Sequence, residues 1–390
     1  MLSWLRTMIN NVKYIFLICI GFFFLCTTNR INAQENIEID TAQKTSLFNK
    51  IYNYFSSSNK QKNKKFDISL IGGPHYSSDV KLGLGVVAAG LYRSTIDTTT
   101  PLSTLSLYGD ITTSGFFLIG VNGINIFKSE KYRLTYNANF YSFPSKIWGF
   151  GYNNGNNSSN ESSYLRIQTH VSSNLQIKIA ENFYAGPTIE FIFIKGSKFS
   201  NKEYYSNIDH ITRGYGIGGA IIYDSRDFIP NAYRGLYIKI SQENFTNFDS
   251  KPFYKSSFIS DYYFNIWDNA ILALDLYTEF NYGATPWTML ATLGGTSRMR
   301  GYYDGRYRDN NMVEIQAELR QKIYNRHGIA LWCGAGNVFG DYSPFKWAHT
   351  LPNYGIGYRW EFKKRINVRL DYGLGKKGQS AFIFSIEEAF

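Results

Sequence analysis

The chain has 390 residues, 41 Lys and Arg against 30 Asp and Glu for a net charge of +11, and about as many aromatic residues (17 %) as charged ones (18 %). No uninterrupted apolar run reaches the roughly 18 residues that a membrane-spanning helix needs, which argues against a helical membrane protein. Abundant Gly and aromatic residues, few Pro and a mildly negative mean hydropathy suit many short strands in which polar and apolar positions alternate.

At the N-terminus Arg6 and Lys13 precede the apolar stretch from Tyr14 to Cys26, and Ile31-Asn-Ala33 stands before Gln34. This is the pattern of an export signal cleaved after Ala33. Neither Cys19 nor Cys26 follows the small residue that a lipidation signal uses. Without residues 1–33 the only cysteine is Cys333, so an intramolecular disulfide in an oxidising compartment is excluded. Three basic residues leave with the signal, and the balance becomes 38 basic against 30 acidic, a net of +8. That excess suits lipid phosphates or an anionic partner in a lumen, while nucleic acid does not fit an exported chain.

Residues 34–65 are polar and end in Lys60, Lys62, Lys64 and Lys65. Leu47, Phe48, Ile51 and Phe55 share one helical face and predict a short amphipathic helix on a linker. A stretch of 32 residues falls short of the roughly 40 that an unaided domain requires.

From Phe66 onward turn signals recur at the spacing of tilted membrane strands, about 9 to 11 residues. The pattern predicts sixteen strands over 66–72, 82–94, 101–111, 115–127, 132–142, 163–179, 182–195, 213–227, 234–245, 253–266, 269–281, 312–323, 328–338, 350–363, 365–373 and 379–390. In Met312 to Arg320, Val313, Ile315, Ala317 and Leu319 oppose Glu314, Gln316, Glu318 and Arg320; in Arg365 to Tyr372, Ile366, Val368, Leu370 and Tyr372 oppose Asn367, Arg369 and Asp371. One face wants lipid and the other water, which predicts an all-β, 16-stranded antiparallel transmembrane barrel over 66–390. A soluble sandwich would not turn aromatics outward on so many strands.

Even parity puts both wall ends on the periplasmic side, with short turns such as Lys128 to Lys131, Ala180 to Asn182 and Lys363-Lys364. Asn153 to Ser163, rich in Asn and Ser, then reads as a solvated outer loop. The terminal Phe390, behind Phe382, Phe384 and Ile386, resembles the C-terminal assembly signal of outer-membrane barrels.

Two stretches resemble the BamA/TamA superfamily of outer-membrane barrels, also known as the bacterial surface antigen family. Gly294-Gly-Thr-Ser-Arg-Met-Arg-Gly-Tyr-Tyr-Asp-Gly-Arg-Tyr-Arg-Asp309 lies in the longest outer loop, 282–311, and carries Arg300-Gly301-Tyr302, similar to the family's Arg-Gly-aromatic signature in a loop folded back into the lumen. Tyr223-Asp-Ser-Arg-Asp-Phe-Ile-Pro-Asn-Ala-Tyr-Arg-Gly235 is similar to its Asp-x-Arg-Asp hairpin, here Asp224, Arg226 and Asp227 followed by Pro230 and Gly235. Three strands separate the two stretches, as in the family, and lesser echoes occur at Pro74 to Gly85, Phe143 to Gly151 and Gly355 to Arg359.

An inward loop carrying Arg298 and Arg300 needs acidic partners on the wall, because a lone buried charge is costly. Gly334 stands where the family usually has the partner Asp, so the expectation passes to Glu314, Glu318 or Asp371. The resemblance implies a role in outer-membrane protein assembly or in translocation of a polypeptide or lipid, the alternative being a structural or surface-antigen barrel without insertase activity. Its assembly factors carry periplasmic POTRA domains, which 34–65 is too short to hold, so clients would come from a periplasmic or POTRA-bearing partner. Outer-membrane lipid and a homo-oligomer are further candidate partners. Their last strand is often kinked by Gly, whereas 379–390 has none and would need a strained residue to bend.

No enzyme is expected. His75, His170, His210, His327 and His349 are scattered without metal-ligand spacing. Gly214-Tyr-Gly-Ile-Gly-Gly219 matches a dinucleotide pattern but continues as a strand rather than opening a helix. No nucleophile elbow or phosphate-binding loop occurs, and no cofactor or metal is expected.

Overall fold

A computed structural model describes residues 66–77, 81–94, 100–247 and 251–390; the expected export signal and linker helix lie outside them. The alternating segments become β1 (Phe66–Ser77), β2 (Lys81–Tyr92), β3 (Ser103–Thr112), β4 (Phe117–Ile126), β5 (Tyr132–Ile147), β6 (Ser162–Ala180), β7 (Phe183–Ser197), β8 (Ile211–Asp224), β9 (Gly235–Asn247), β10 (Phe253–Trp267) and β11 (Ala270–Gly283). A long connection holding the short strands β12 (Ala291–Leu293) and β13 (Tyr307–Asp309) follows. The wall then resumes with β14 (Asn311–Tyr324), β15 (His327–Phe339), β16 (Leu351–Lys363), β17 (Ile366–Gly375) and β18 (Ser380–Ile386). Its sixteen strands pair in chain order, all antiparallel, which is the count that the alternation predicts. Among the described residues no helix is long and apolar enough to cross a membrane.

The two faces separate as the period-2 pattern demands. On β14, Ile315 is 56 % exposed and faces out, while its neighbours Glu314, Gln316 and Glu318 are buried inside. Leu274, Leu331, Ile356, Phe382 and Phe384 continue the exposed apolar band on neighbouring strands.

The sheet curls until its first and last strands overlap. No backbone ladder joins β1 to β18 among the described residues. Ile71, on the inner face of β1, instead packs on Phe362 and Val368 from the outer faces of β16 and β17, with Ile386 beside them. Lys363 Nζ meets Asp67 Oδ1 at 2.7 Å across the same joint. The seam is therefore lapped, β1 lying outside the last strands, and side chains hold it.

Several expectations are corrected. β5 runs five residues beyond 142, because Ser142–Ile147 pairs fully with Ser162–Ile167. β8 stops at Asp224, the last residue paired with β9 (opposite Tyr237), whose carboxylate is turned to ion pairs. β18 ends at Ile386 rather than 390: Glu387 adopts φ 72°, the left-handed region that costs a non-glycine residue energy, and the last residues turn into the lumen. The 282–311 loop gains a hairpin the alternation does not show, because β12 and β13 pair within it. Within the expected Asn153–Ser163 loop only Asn157–Ser159 is an exposed stretch; before it the short helix α1 (Gly151–Gly155) is buried through Tyr152 and Gly155.

Candidate functional site

The loop between β11 and β14 folds into the barrel, and its backbone fits because two glycines meet. Gly301 has φ +118°, and a Cβ there would stand 2.8 Å from the Gly373 carbonyl carbon on β17. Any larger residue at either position would hold the loop off the wall. Asn353 Nδ2 of β16 donates to the Arg300 carbonyl, fixing the loop where it touches the strands.

Arg300 is 0 % exposed. Its Nη1 donates to Asp371 Oδ2 at 2.7 Å and its Nη2 to Glu318 Oε2 at 2.5 Å, while the guanidinium lies 3.7 Å from the Trp332 ring centroid. The loop arginine thus bridges β14 and β17 and stacks on β15, which uses the planar fork that lysine lacks. Of the three carboxylates named from sequence, two come to Arg300; Glu314 stands 3.8 Å from Arg298 instead.

Arg298 pairs with Asp275 of β11 (Nη2 to Oδ1, 2.7 Å) and lies over Tyr277. Gln316 Nε2 donates to the same carboxylate at 3.0 Å. Gln316 sits opposite Gly334, so the position where the family usually has its acid is covered by a neighbour's side chain.

The charges beneath Arg300 are matched between the wall and Glu388 of the C-terminal segment. Arg320 Nε donates to Glu318 at 2.8 Å, Arg369 Nη1 to Asp371 at 2.8 Å, and Arg359 reaches Asp371, Glu318 and Glu388. Three wall arginines meet three carboxylates, and Arg300 arrives as the additional cation. Its seat depends on two charge-assisted bonds and one ring rather than on a lone counter-ion.

On the long-loop side the lid is clasped by its neighbours. Tyr302 Oη donates to the Pro352 carbonyl at 2.6 Å, and Arg306 Nε to the Gly155 carbonyl of α1 at 2.8 Å. Tyr152, Leu293, Met299, Tyr302, Tyr307 and Val338 form one buried cluster. Asp309, fully buried, accepts from Ser343 Oγ at 2.7 Å.

The Asp-x-Arg-Asp hairpin closes the short-turn side. Asp224 pairs with Arg133 and Arg226, both at 2.9 Å, and Arg226 covers the Tyr237 ring. Asp227 accepts both Arg365 Nη1 at 2.8 Å and Nη2 at 3.0 Å, and Arg365 also stacks over Tyr233. Burial alone would raise the Asp227 carboxyl; the Arg365 hydrogen bonds and the Tyr233 and Arg234 amides outweigh it and hold the group below its usual range. Pro230 lies in the arm of this hairpin, and Gly235, φ +116°, begins β9. Phe390 packs inside the barrel on Ala232, Tyr263 and Ala273, and its main-chain oxygen accepts from Arg320 Nη2 at 2.9 Å.

Sequence reasoning missed Asp275, Arg359, Glu388 and Trp332. Alternation puts Arg320 and Arg369 on the inner face without giving them partners. Asp275 lies on the expected β11 with the parity of the inner face and is open to the same reading.

A sixteen-stranded antiparallel wall with its long loop folded onto the inner face defines a barrel of the outer-membrane type. The Omp85 superfamily domain matches residues 122–390, and the chain belongs to that superfamily. Its fold is similar to that of BamA from Haemophilus ducreyi lacking POTRA domains 1-3 (TM-score 0.51, 13 % identity, 84 % of this chain and 70 % of that one). It is similar too to CdiB from Acinetobacter baumannii (0.54, 14 %, 84 % and 60 %) and CdiB from Escherichia coli (0.53, 10 %, 84 % and 62 %). The chain thus spans less than two thirds of either CdiB structure. No curated protein matches it in sequence.

Proposed function

We propose that this barrel inserts or translocates a polypeptide or lipid at the outer membrane, with the Arg300 loop as a displaceable plug. The observation that carries the reading is Arg300 itself, buried between Glu318 and Asp371 yet additional to three wall arginines that Glu318, Asp371 and Glu388 of the C-terminal segment already match. Withdrawing the loop leaves three arginines with three carboxylates, so no naked charge is created and the cost of displacement stays moderate.

The lapped joint between β1 and β16–β18 supports the same reading, because side-chain contacts part more easily than a ladder of backbone hydrogen bonds. The short-turn rim would face the periplasm, where a periplasmic or POTRA-bearing partner delivers the client; the long loops would face outward. Depletion of the protein followed by profiling of outer-membrane proteins, lipids and secreted chains tests the proposal. Loss of particular components is expected, whereas unchanged profiles would leave a structural or surface-antigen barrel.

A further inference from the structure

Besides Tyr342, the loop between β15 and β16, residues 340–350, carries two large exposed aromatic side chains that the plug does not use. Trp347 is 83 % exposed and Phe345 43 %. They are joined by ring contacts to the barrel wall: Trp347 lies 5.2 Å from Phe345, Phe345 5.2 Å from Phe339, and Phe339 6.3 Å from Phe280. Phe280 and Phe339 both pair with Asn311, and Phe280 shares the outward parity of Leu274, which is exposed to the apolar band. The ladder of rings therefore starts on the lipid-facing surface and climbs onto the loop.

Asn337 fixes which way the loop leans. Its parity on β15 is that of the exposed Leu331, earlier on the same strand, so it belongs to the outer face; yet it is only 4 % exposed. Its Nδ2 donates to the Lys346 carbonyl at 2.9 Å and to Thr350 Oγ1 at 3.2 Å. The Lys346 backbone thus lies over the outer wall, with the exposed Lys346 side chain between Phe345 and Trp347.

We infer that this loop is an anchor for the lipid interface, with Phe345 and Trp347 seated at the acyl boundary and the Lys346 ammonium at a headgroup phosphate. Continuity with the apolar wall selects lipid as the occupant. An amphipathic Trp rim beside a lysine is the composition that membrane interfaces favour. The inner side of the same loop holds the lid, through Ser343 on Asp309 and His349 stacked 4.0 Å from Tyr152. Lipid and plug therefore grip opposite sides of one short segment.

The test uses the full chain in phosphatidylcholine and phosphatidylglycerol vesicles whose acyl chains are brominated either near the headgroup or near the chain end. The chain has 7 Trp, so the emission of Trp347 is taken as the difference between the wild type and Trp347→Phe, an exposed substitution that leaves the barrel contacts intact. A loss of most of that difference emission with headgroup-proximal bromine, and less with distal bromine, is the expected result. Emission that ignores both lipids and is quenched by aqueous acrylamide overturns the anchor. A Phe345→Ala variant offers a second reading: Trp347 should become more accessible to acrylamide as its ring support is lost, and no change would also count against the anchor.

Discussion

Arg365 and Asp227 meet at 2.8 Å although 138 positions separate them, because the turn after β8 reaches the turn after β16 across the mouth of the barrel. In a sheet paired in chain order these turns lie six strands apart around the wall. The hairpin that carries Asp227, with Phe390 packed on its Ala232, spans the end opposite the lid. The lumen is thus crossed twice, by a loop at one end and a hairpin at the other.

The Asp227–Arg365 pair is partly solvated, so it contributes no more than about 1 kcal/mol. Asp227→Arg and Arg365→Asp should each free the hairpin for limited proteolysis, and the double exchange should restore protection. Equal cleavage of single and double variants would show that the pair does not hold the hairpin.

The same pair has a defined pH window. The folded carboxyl is held below its unfolded value, so its contribution is fully present above the unfolded value of about 3.9 and is lost as pH falls through the lower folded value. Proteolytic protection of the hairpin should stay flat from neutral pH down to about 5 and fall only below about 4. A loss centred near pH 6.5 would implicate a histidine instead.

Arg300→Ala and Glu318→Ala should behave differently although each breaks the same contact. Without Arg300 the wall retains matched charges, and the lost charge-assisted bonds cost about 1.5 to 3 kcal/mol, felt mainly by the loop. Without Glu318, Arg320 and Arg359 lose a shared partner inside the barrel, at about 3 to 5 kcal/mol. Heat-modifiability on gels should therefore shift far more for Glu318→Ala, while loop proteolysis rises in both.

Gly301→Ala should reproduce the loop release of Arg300→Ala with every charge in place, because the added Cβ strikes β17 at 2.8 Å. The expected readout is protease access between Gly294 and Asp309 without loss of the folded barrel. Wild-type resistance would show that the Gly301 to Gly373 approach is not needed.

Much of this architecture is legible in the alternation of residues alone. That alternation sets the number of strands and the inner face of β14, where Glu314, Glu318 and Arg320 recur every second or fourth residue, because lipid on one side and water on the other leave no other register. The Arg300 loop is visible as a motif, and the absence of Gly from the last strand announces that a bend would be strained, as Glu387 is. Distance across the lumen is what the residue pattern does not carry. Asp371 and Glu318 lie on strands three apart around the wall, and only curvature brings them to one guanidinium; Arg365 and Asp227 meet for the same reason. Glu388 escapes notice because alternation alone runs the final strand on to Phe390, which would keep that carboxylate in the wall instead of beside Arg359.

Single-channel conductance in planar bilayers tests most directly whether the Arg300 loop closes the lumen. The wild type should be closed or poorly conducting, and Arg300→Ala, with Gly301→Ala as the charge-neutral control, should open larger and longer-lived currents. Equal conductance in all three proteins would mean that the loop is not the stopper.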